Sequence, residues 1–246
     1  MYYEYFYIFL AFVFVILAAD VFCYERTRTL EGMVFTSEKG RKNLFTAKLC
    51  SLVCISFVTM LIFTVADVCV AYFIMGGRLL HEPIQILEVF QTSTANIDLL
   101  TFIICCNVLR FAVLVLAICL AAAVSQISRN VFVSIIIDLA VMFGMFAAFV
   151  YSMGYNTSPS DSPGEIVFDS SKFALYEKLR GFLPACLTNP MVYFEKFDYI
   201  NVANYPFTRM TTCVIVTVTA SVLLALFSFV RFGNVLKFIP RKAKKG

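Results

Sequence analysis

The sequence predicts an all-α membrane protein that crosses the bilayer about five times, with its N-terminus outside and its C-terminus inside. Of the 246 residues, 61% are hydrophobic and only 15% are charged, which is more apolar surface than a soluble chain of this length can bury. The apolar residues fall into runs long enough to span the hydrocarbon core. Basic residues collect in alternate connections between these runs, as they do on the cytoplasmic side of membrane proteins.

A single transmembrane domain is predicted across the chain. A polar connection over 24–48 follows the first span, and a long segment over 154–209 precedes the last one. The alternative for the first run is a cleaved signal peptide, but the basic cluster follows that run instead of preceding it. The predicted spans are about 3–22, 49–75, 100–124, 131–153 and 210–230.

The charges of the connections determine the predicted orientation. The connection 24–48, the turn 125–130 and the tail from 231 together hold thirteen basic residues and three acidic ones. The parts of the chain on the other side hold six basic and ten acidic residues. Because cytoplasmic connections carry the excess of Lys and Arg, we expect 24–48 and the tail inside and 154–209 outside.

The residue inventory argues against an enzyme and against a metal or cofactor site. His81 is the only histidine, and neither the phosphate-binding pattern G-x-x-x-x-G-K-[ST] nor the zinc pattern H-E-x-x-H occurs. Most of the nine cysteines fall within apolar runs, where a free thiol behaves as a small buried hydrophobe. We therefore expect no catalytic residues, no cofactor and no nucleic-acid partner, and we expect His81 to be solvated or interfacial.

Three charged side chains inside the predicted spans are candidate intramembrane sites. Asp67 lies about eight residues below the outer end of the second span, and Arg110 lies about ten residues below the outer end of the third. Antiparallel neighbours bring these two to a similar depth, so we predict an Asp67–Arg110 ion pair facing the bundle interior. Such a pair either fixes helix register or belongs to a transport path. Asp138 in the fourth span lacks an obvious partner.

The connection 24–48 contains a short amphipathic helical pattern. Gly40 interrupts this pattern before a second one enters the next span. A helix of this kind either lies in the membrane interface or docks a soluble partner, with Glu31 and Arg41 as charges at the rim of the docking surface. The apolar residues that repeat at helical spacing are Leu30, Met33 and Val34.

The same connection carries an ordered set of acidic, small and basic residues. In chain order they are Glu25, Leu30-Glu31-Gly32, Thr36-Ser37, Gly40-Arg41 and Ala47-Lys48. This order resembles the cytoplasmic loop of type-2 ABC exporter permeases, the membrane subunits that pair with a separate ATPase. The resemblance is specific over these 25 residues and diffuse over the other spans, although the long outer segment and the basic tail also agree with it.

The resemblance implies a coupling helix that rests in a cleft of the ATPase and transmits its closure. The residues it implies for binding the ATPase are Glu25, Leu30, Glu31, Gly32, Thr36, Gly40, Arg41 and Lys48. It also implies a plasma-membrane subunit of bacterial type that forms a homo- or heterodimer with another permease chain, while ATP is hydrolysed on the partner.

One departure from the family keeps a second interpretation open. The family usually has six spans, and this chain starts with the span that would be second, so the first is either missing or supplied by another polypeptide. The alternative is a membrane interaction or immunity protein that holds a partner with the same loop but transports nothing.

Overall fold

Helices dominate the computed structural model, which describes residues 4–27, 38–91, 93–128, 130–154, 182–195, 199–202 and 205–234. In chain order the helices are α1 (Glu4–Thr27), α2 (Glu38–Met75), α3 (Leu99–Ile127), α4 (Val131–Gly154), the short α5 (Met191–Glu195) and α6 (Arg209–Asn234). Among the described residues, 5 helices are long and apolar enough to cross a membrane. The protein is therefore a multi-pass helical membrane protein, as the sequence predicts.

The spans lie close to their predicted positions. They are Phe6–Cys23, Asn43–Ile74, Leu99–Ile127, Val131–Phe149 and Arg209–Phe232. The largest difference is in α2, which begins at Glu38, so that the end of the polar connection is already helical. Gly40, which we expected to interrupt the helical pattern, lies in the first turn of α2. A glycine costs a helix only about 1 kcal/mol relative to alanine, and 38 consecutive helical residues offset that cost.

The end of the bundle that carries the α1–α2 and α3–α4 connections is called the inner end here, following the predicted orientation. At the opposite, outer end, α2 stops at Gly76, whose φ of 84° lies in the left-handed region. The Gly76 amide donates to the carbonyl of Tyr72 over 2.9 Å and closes the last turn. Three short 3₁₀ turns then lead to α3: Leu79–His81, Ile84–Ile86 and Glu88–Phe90.

A small β-hairpin departs from the all-α prediction. β1 (Tyr199–Val202) pairs antiparallel with β2 (Tyr205–Thr208), and Val202 lies opposite Tyr205 in the register. The hairpin leads directly into α6. A 3₁₀ turn at Pro184–Thr188 and the short α5 precede it.

α3 is the centre of the bundle, because it contacts α1, α2, α4 and α6. Of its span, 56% is buried, against 17% of the α2 span. Its inner half presents Ala117, Ala121 and Ala122, each 0% exposed, and such small side chains let neighbouring helices approach closely.

α6 contacts α3 and buries a stripe of small polar side chains. Thr217, Ser221 and Ser228 are buried. Each hydroxyl donates to the carbonyl four residues earlier, over 2.8, 2.8 and 2.7 Å. Each hydroxyl therefore donates its hydrogen bond within the helix and needs no acceptor on a neighbouring helix.

Candidate functional sites: a polar cluster and an inner helix junction

Three helices bring four polar side chains together inside the bundle. The Tyr7 hydroxyl of α1 donates to Asp67 Oδ2 of α2 over 2.8 Å, and Asn107 Nδ2 of α3 donates to the same oxygen over 3.1 Å. Arg110 follows Asn107 one helical turn later on α3. Tyr7, Asn107 and Arg110 are all buried. We name Tyr7, Asp67, Asn107 and Arg110 the polar cluster.

The two charges of the polar cluster meet through Tyr7. The Arg110 guanidinium carbon lies 3.8 Å from the centre of the Tyr7 ring, and Arg110 Nε donates to the carbonyl of Thr188 over 3.2 Å. The prediction of a direct Asp67–Arg110 ion pair is therefore corrected to a bridged arrangement. The physical reason is that a tyrosine offers a donor to the carboxylate at its hydroxyl and an attractive face to the cation at its ring.

Sequence reasoning missed Tyr7 and Asn107. A tyrosine near the end of a span is typical of the aromatic belt at the membrane interface, which gave no reason to place Tyr7 inside. The available signal was the pair Asn107 and Arg110, which lie three residues apart and therefore share one face of a helix.

The groups in the polar cluster determine what it can do. It holds one carboxylate, one guanidinium and two neutral donors, so it is neutral as a whole. It joins three spans and reaches the segment before α5 through the Thr188 carbonyl. Within the described ranges, no group of three His, Cys, Asp or Glu side chains is arranged to hold a metal ion. The cluster therefore suits a register-fixing element or a polar step in a path through the bundle.

Asp138 is a separate buried acid on α4. It is 0% exposed, and Ser134 Oγ donates to its Oδ2 over a long 3.4 Å. Its Oδ1 has no hydrogen-bond partner among the described residues. Among the described residues, no hydrogen bond joins Asp138 to Asp67 or Arg110.

The inner parts of α1, α2 and α6 meet in an aromatic cluster. The ring centre of Phe45 on α2 lies 5.5 Å from those of Phe22 on α1 and Phe232 on α6, and 6.2 Å from that of Phe229. Phe45 is 1% exposed, so these contacts enclose it on several sides. We name Phe22, Phe45, Phe229 and Phe232 the inner aromatic cluster.

Lys48, the last residue of the predicted docking loop, adds a polar tie at the same junction. Its Nζ donates to the carbonyl of Val21 over 2.8 Å, which joins α2 to the end of α1. The inner aromatic cluster and this bond together anchor both ends of the connection between the two helices.

The other residues of the predicted docking loop are described only in part. The helical backbone includes Glu25, Gly40 and Arg41, although the side chains of Glu25 and Arg41 lie outside the described part. Residues 28–37 lie outside it altogether. Leu30, Glu31, Gly32 and Thr36 fall in that range.

Comparisons with known proteins do not assign this chain to a family. No family model, curated protein or solved structure matches it. The class that the fold defines is a multi-pass helical membrane protein with five candidate spans. Within that class, its two distinguishing features are the polar cluster and the anchored connection between α1 and α2.

Proposed function

We propose that this protein is the membrane-spanning permease subunit of an ATP-driven ABC exporter, coupled through the connection 24–48 to a separate ATPase subunit. The resemblance of that connection to a coupling loop supports the proposal from the sequence. The structural observation that carries it is the anchoring of both ends of the connection, by the inner aromatic cluster and by the Lys48–Val21 hydrogen bond.

A connection can transmit force only if its ends are firmly held. α2 runs for 38 residues from Glu38 to Met75 without a break, so a displacement at its inner end reaches its outer end. Phe45 contacts both α1 and α6, so these helices resist moving apart from α2. Closure of a docked ATPase would therefore rock α1 and α2 as a unit, with α6 following.

Nearer the outer end, the same two helices, α1 and α2, contribute Tyr7 and Asp67 to the polar cluster. Tyr7 lies on α1 and Asp67 on α2, so relative motion of these helices changes the hydrogen bond between them. Arg110 covers the Tyr7 ring and holds the Thr188 carbonyl, which extends the coupling to the outer segment. A path for an apolar cargo would then open beside a second permease chain, in a homo- or heterodimer.

The test is co-purification of the full chain from mild detergent. We expect an ATPase to accompany the native chain and to be lost from Gly32→Trp, which adds bulk to the loop, and from Arg41→Glu, which reverses a rim charge. Arg78→Glu is the matched control, because Arg78 is exposed at the outer end and its reversal leaves docking unchanged.

A second variant separates docking from transmission. Phe45→Ala empties the centre of the inner aromatic cluster but leaves the loop sequence intact, so we expect the ATPase to bind while its activity no longer responds to the permease. If no ATPase accompanies the native chain, or if both loop variants retain it, the permease proposal is wrong. Loss of a different partner from the loop variants would instead support the interaction or immunity protein.

A further inference from the structure

The described segment before α5 and the helix itself form a cap at the outer end of the bundle. The Pro184–Thr188 turn contacts α3, α4 and α6, and its residues from Ala185 to Thr188 are buried. Three side chains from other elements donate to backbone carbonyls of this segment. The pairs are Arg110 to Thr188, Cys213 to Leu183 and Ser93 to Phe194. We name residues 182–195 the outer cap.

Two cysteines lie together where the outer cap meets α6. The Leu183 carbonyl accepts the Cys213 thiol over 3.3 Å and the Cys186 backbone amide over 3.0 Å. The Cys213 sulfur and the Cys186 backbone nitrogen therefore share one acceptor, the Leu183 carbonyl oxygen, and lie on either side of it. Both are free cysteines, and both are buried: Cys186 is 2% exposed and Cys213 is 0% exposed.

Tyr193 of α5 is buried, and it lies near enough to both thiols for them to act on its pKa. Burial raises the pKa of Tyr193 well above its usual range, and the two thiols raise that pKa further, so the phenol keeps its proton.

We propose that Cys186 and Cys213 are a redox pair whose oxidation to an intramolecular disulfide locks the outer cap onto α6. The inference rests on the Leu183 carbonyl, which accepts hydrogen bonds from the Cys213 thiol and the Cys186 amide, and on the burial of both cysteines. It does not depend on the proposed permease function. The sequence predicts this end of the bundle outside the cell, where disulfides form and persist.

The chemistry needs a disulfide-bearing oxidant, either small or on a protein. One cysteine thiolate attacks the sulfur–sulfur bond of the oxidant, forms a mixed disulfide and releases one thiolate. The second cysteine thiolate then attacks the mixed disulfide and releases the other. The two cysteines give up two protons and two electrons, and the oxidant is reduced to two thiols. Because both thiols are buried, the reaction proceeds when the outer cap lifts from α6.

The test uses the purified full chain in detergent, equilibrated with oxidised glutathione until the pattern of products no longer changes. Trypsin places Cys186 and Cys213 in separate peptides, 181–196 and 210–231, each of which contains no other cysteine. We expect mass spectrometry to find these two peptides joined by a disulfide that disappears on reduction. The oxidised native chain should also have a higher Tm than the reduced one.

Single substitutions make the result specific. Cys186→Ser and Cys213→Ser each remove the linked peptides and the rise in Tm, whereas Cys106→Ser, at a buried site on α3, keeps both. The proposal is overturned if the native chain yields only glutathione adducts, if other cysteines link in preference, or if the linked peptides form without any change in Tm.

Discussion

A buried tyrosine can serve two opposite charges at once, because its hydroxyl donates a hydrogen bond while its ring face attracts a cation. Tyr7 makes both contacts, with the Asp67 carboxylate and with the Arg110 guanidinium. Charged groups within the bilayer are costly, and this arrangement gives each of them a partner within the bundle. Asp138 shows the contrast, since among the described residues its one hydrogen-bond donor is Ser134 on its own helix.

Removing the Tyr7 hydroxyl tests this bridge. Tyr7→Phe keeps an aromatic ring against the Arg110 guanidinium but removes the hydroxyl that donates to Asp67. The Asp67 carboxylate then keeps only the hydrogen bond from Asn107 among those described. We expect a loss of about 1.5 kcal/mol in the free energy of unfolding, as for other hydrogen bonds to charged groups. Tyr7→Leu also removes the ring and should cost about 1 kcal/mol more. Denaturant unfolding in detergent measures both values.

Tyr72→Phe is the control for the Tyr7 variants, because Tyr72 lies on α2 and is 54% exposed. It should change the free energy of unfolding by less than about 0.5 kcal/mol. Equal losses from Tyr7→Phe and Tyr72→Phe would show that the Tyr7 hydroxyl contributes nothing to the polar cluster.

The extent to which the sequence predicts these residues follows from their chemistry. Asp67 and Arg110 are recognisable because a charge inside an apolar run is rare and needs a partner. Tyr7 cannot be recognised from the sequence in this way, since tyrosines are common near the ends of spans. The shared hydrogen bonding of Cys186 and Cys213 to the Leu183 carbonyl is also invisible in the sequence, because it depends on how the outer cap folds back onto α6.

At the scale of whole elements, the alanine face of α3 decides how closely the helices pack. Ala117 is 0% exposed and lies on the helix that every other span contacts. Ala117→Phe forces a large ring into a packed interface, so we expect a loss of about 3 kcal/mol in the free energy of unfolding. Thermal unfolding in detergent, followed by a thiol-reactive dye that reports exposed cysteines, measures this loss.

The matched control for that substitution is Ala66→Phe on the exposed face of α2. A ring added there meets lipid or detergent instead of a neighbouring helix, and the free energy of unfolding should stay within about 0.5 kcal/mol of the native value. If the two substitutions cost the same, the alanine face of α3 is not a close packing surface.

Hydropathy predicts elements well when a whole run is apolar and poorly at its polar ends. All five spans follow from their apolar length, whereas α2 extends into the polar connection because helical hydrogen bonding continues beyond the hydrocarbon core. The hairpin from Tyr199 to Thr208 was missed because a strand of four residues carries too little periodicity to compete with the helical pattern around it.

On the scale of the whole molecule, the number of spans and the charge pattern constrain each other. The five spans found among the described residues place the start of α1 and the end of α6 on opposite sides of the membrane. They also place the α1–α2 connection on the same side as the end of α6. The positive-inside pattern independently puts an excess of Lys and Arg on both of these segments. The outer cap and the polar cluster then lie toward the opposite face.

Protease accessibility tests this orientation on the full chain. Trypsin added to sealed right-side-out cells should cleave within 154–209, where Lys172, Lys178 and Arg180 are available in sequence, and should leave a C-terminal tag attached to the end of α6. In inverted membrane vesicles, trypsin should instead cleave the tag and the connection 24–48 first and should leave 154–209 intact. Removal of the tag from sealed cells would invert the predicted orientation. The α1–α2 connection would then face away from any cytoplasmic ATPase, and the permease proposal would fail. Cys186 and Cys213 would keep their shared hydrogen bonding to the Leu183 carbonyl but would face a reducing compartment.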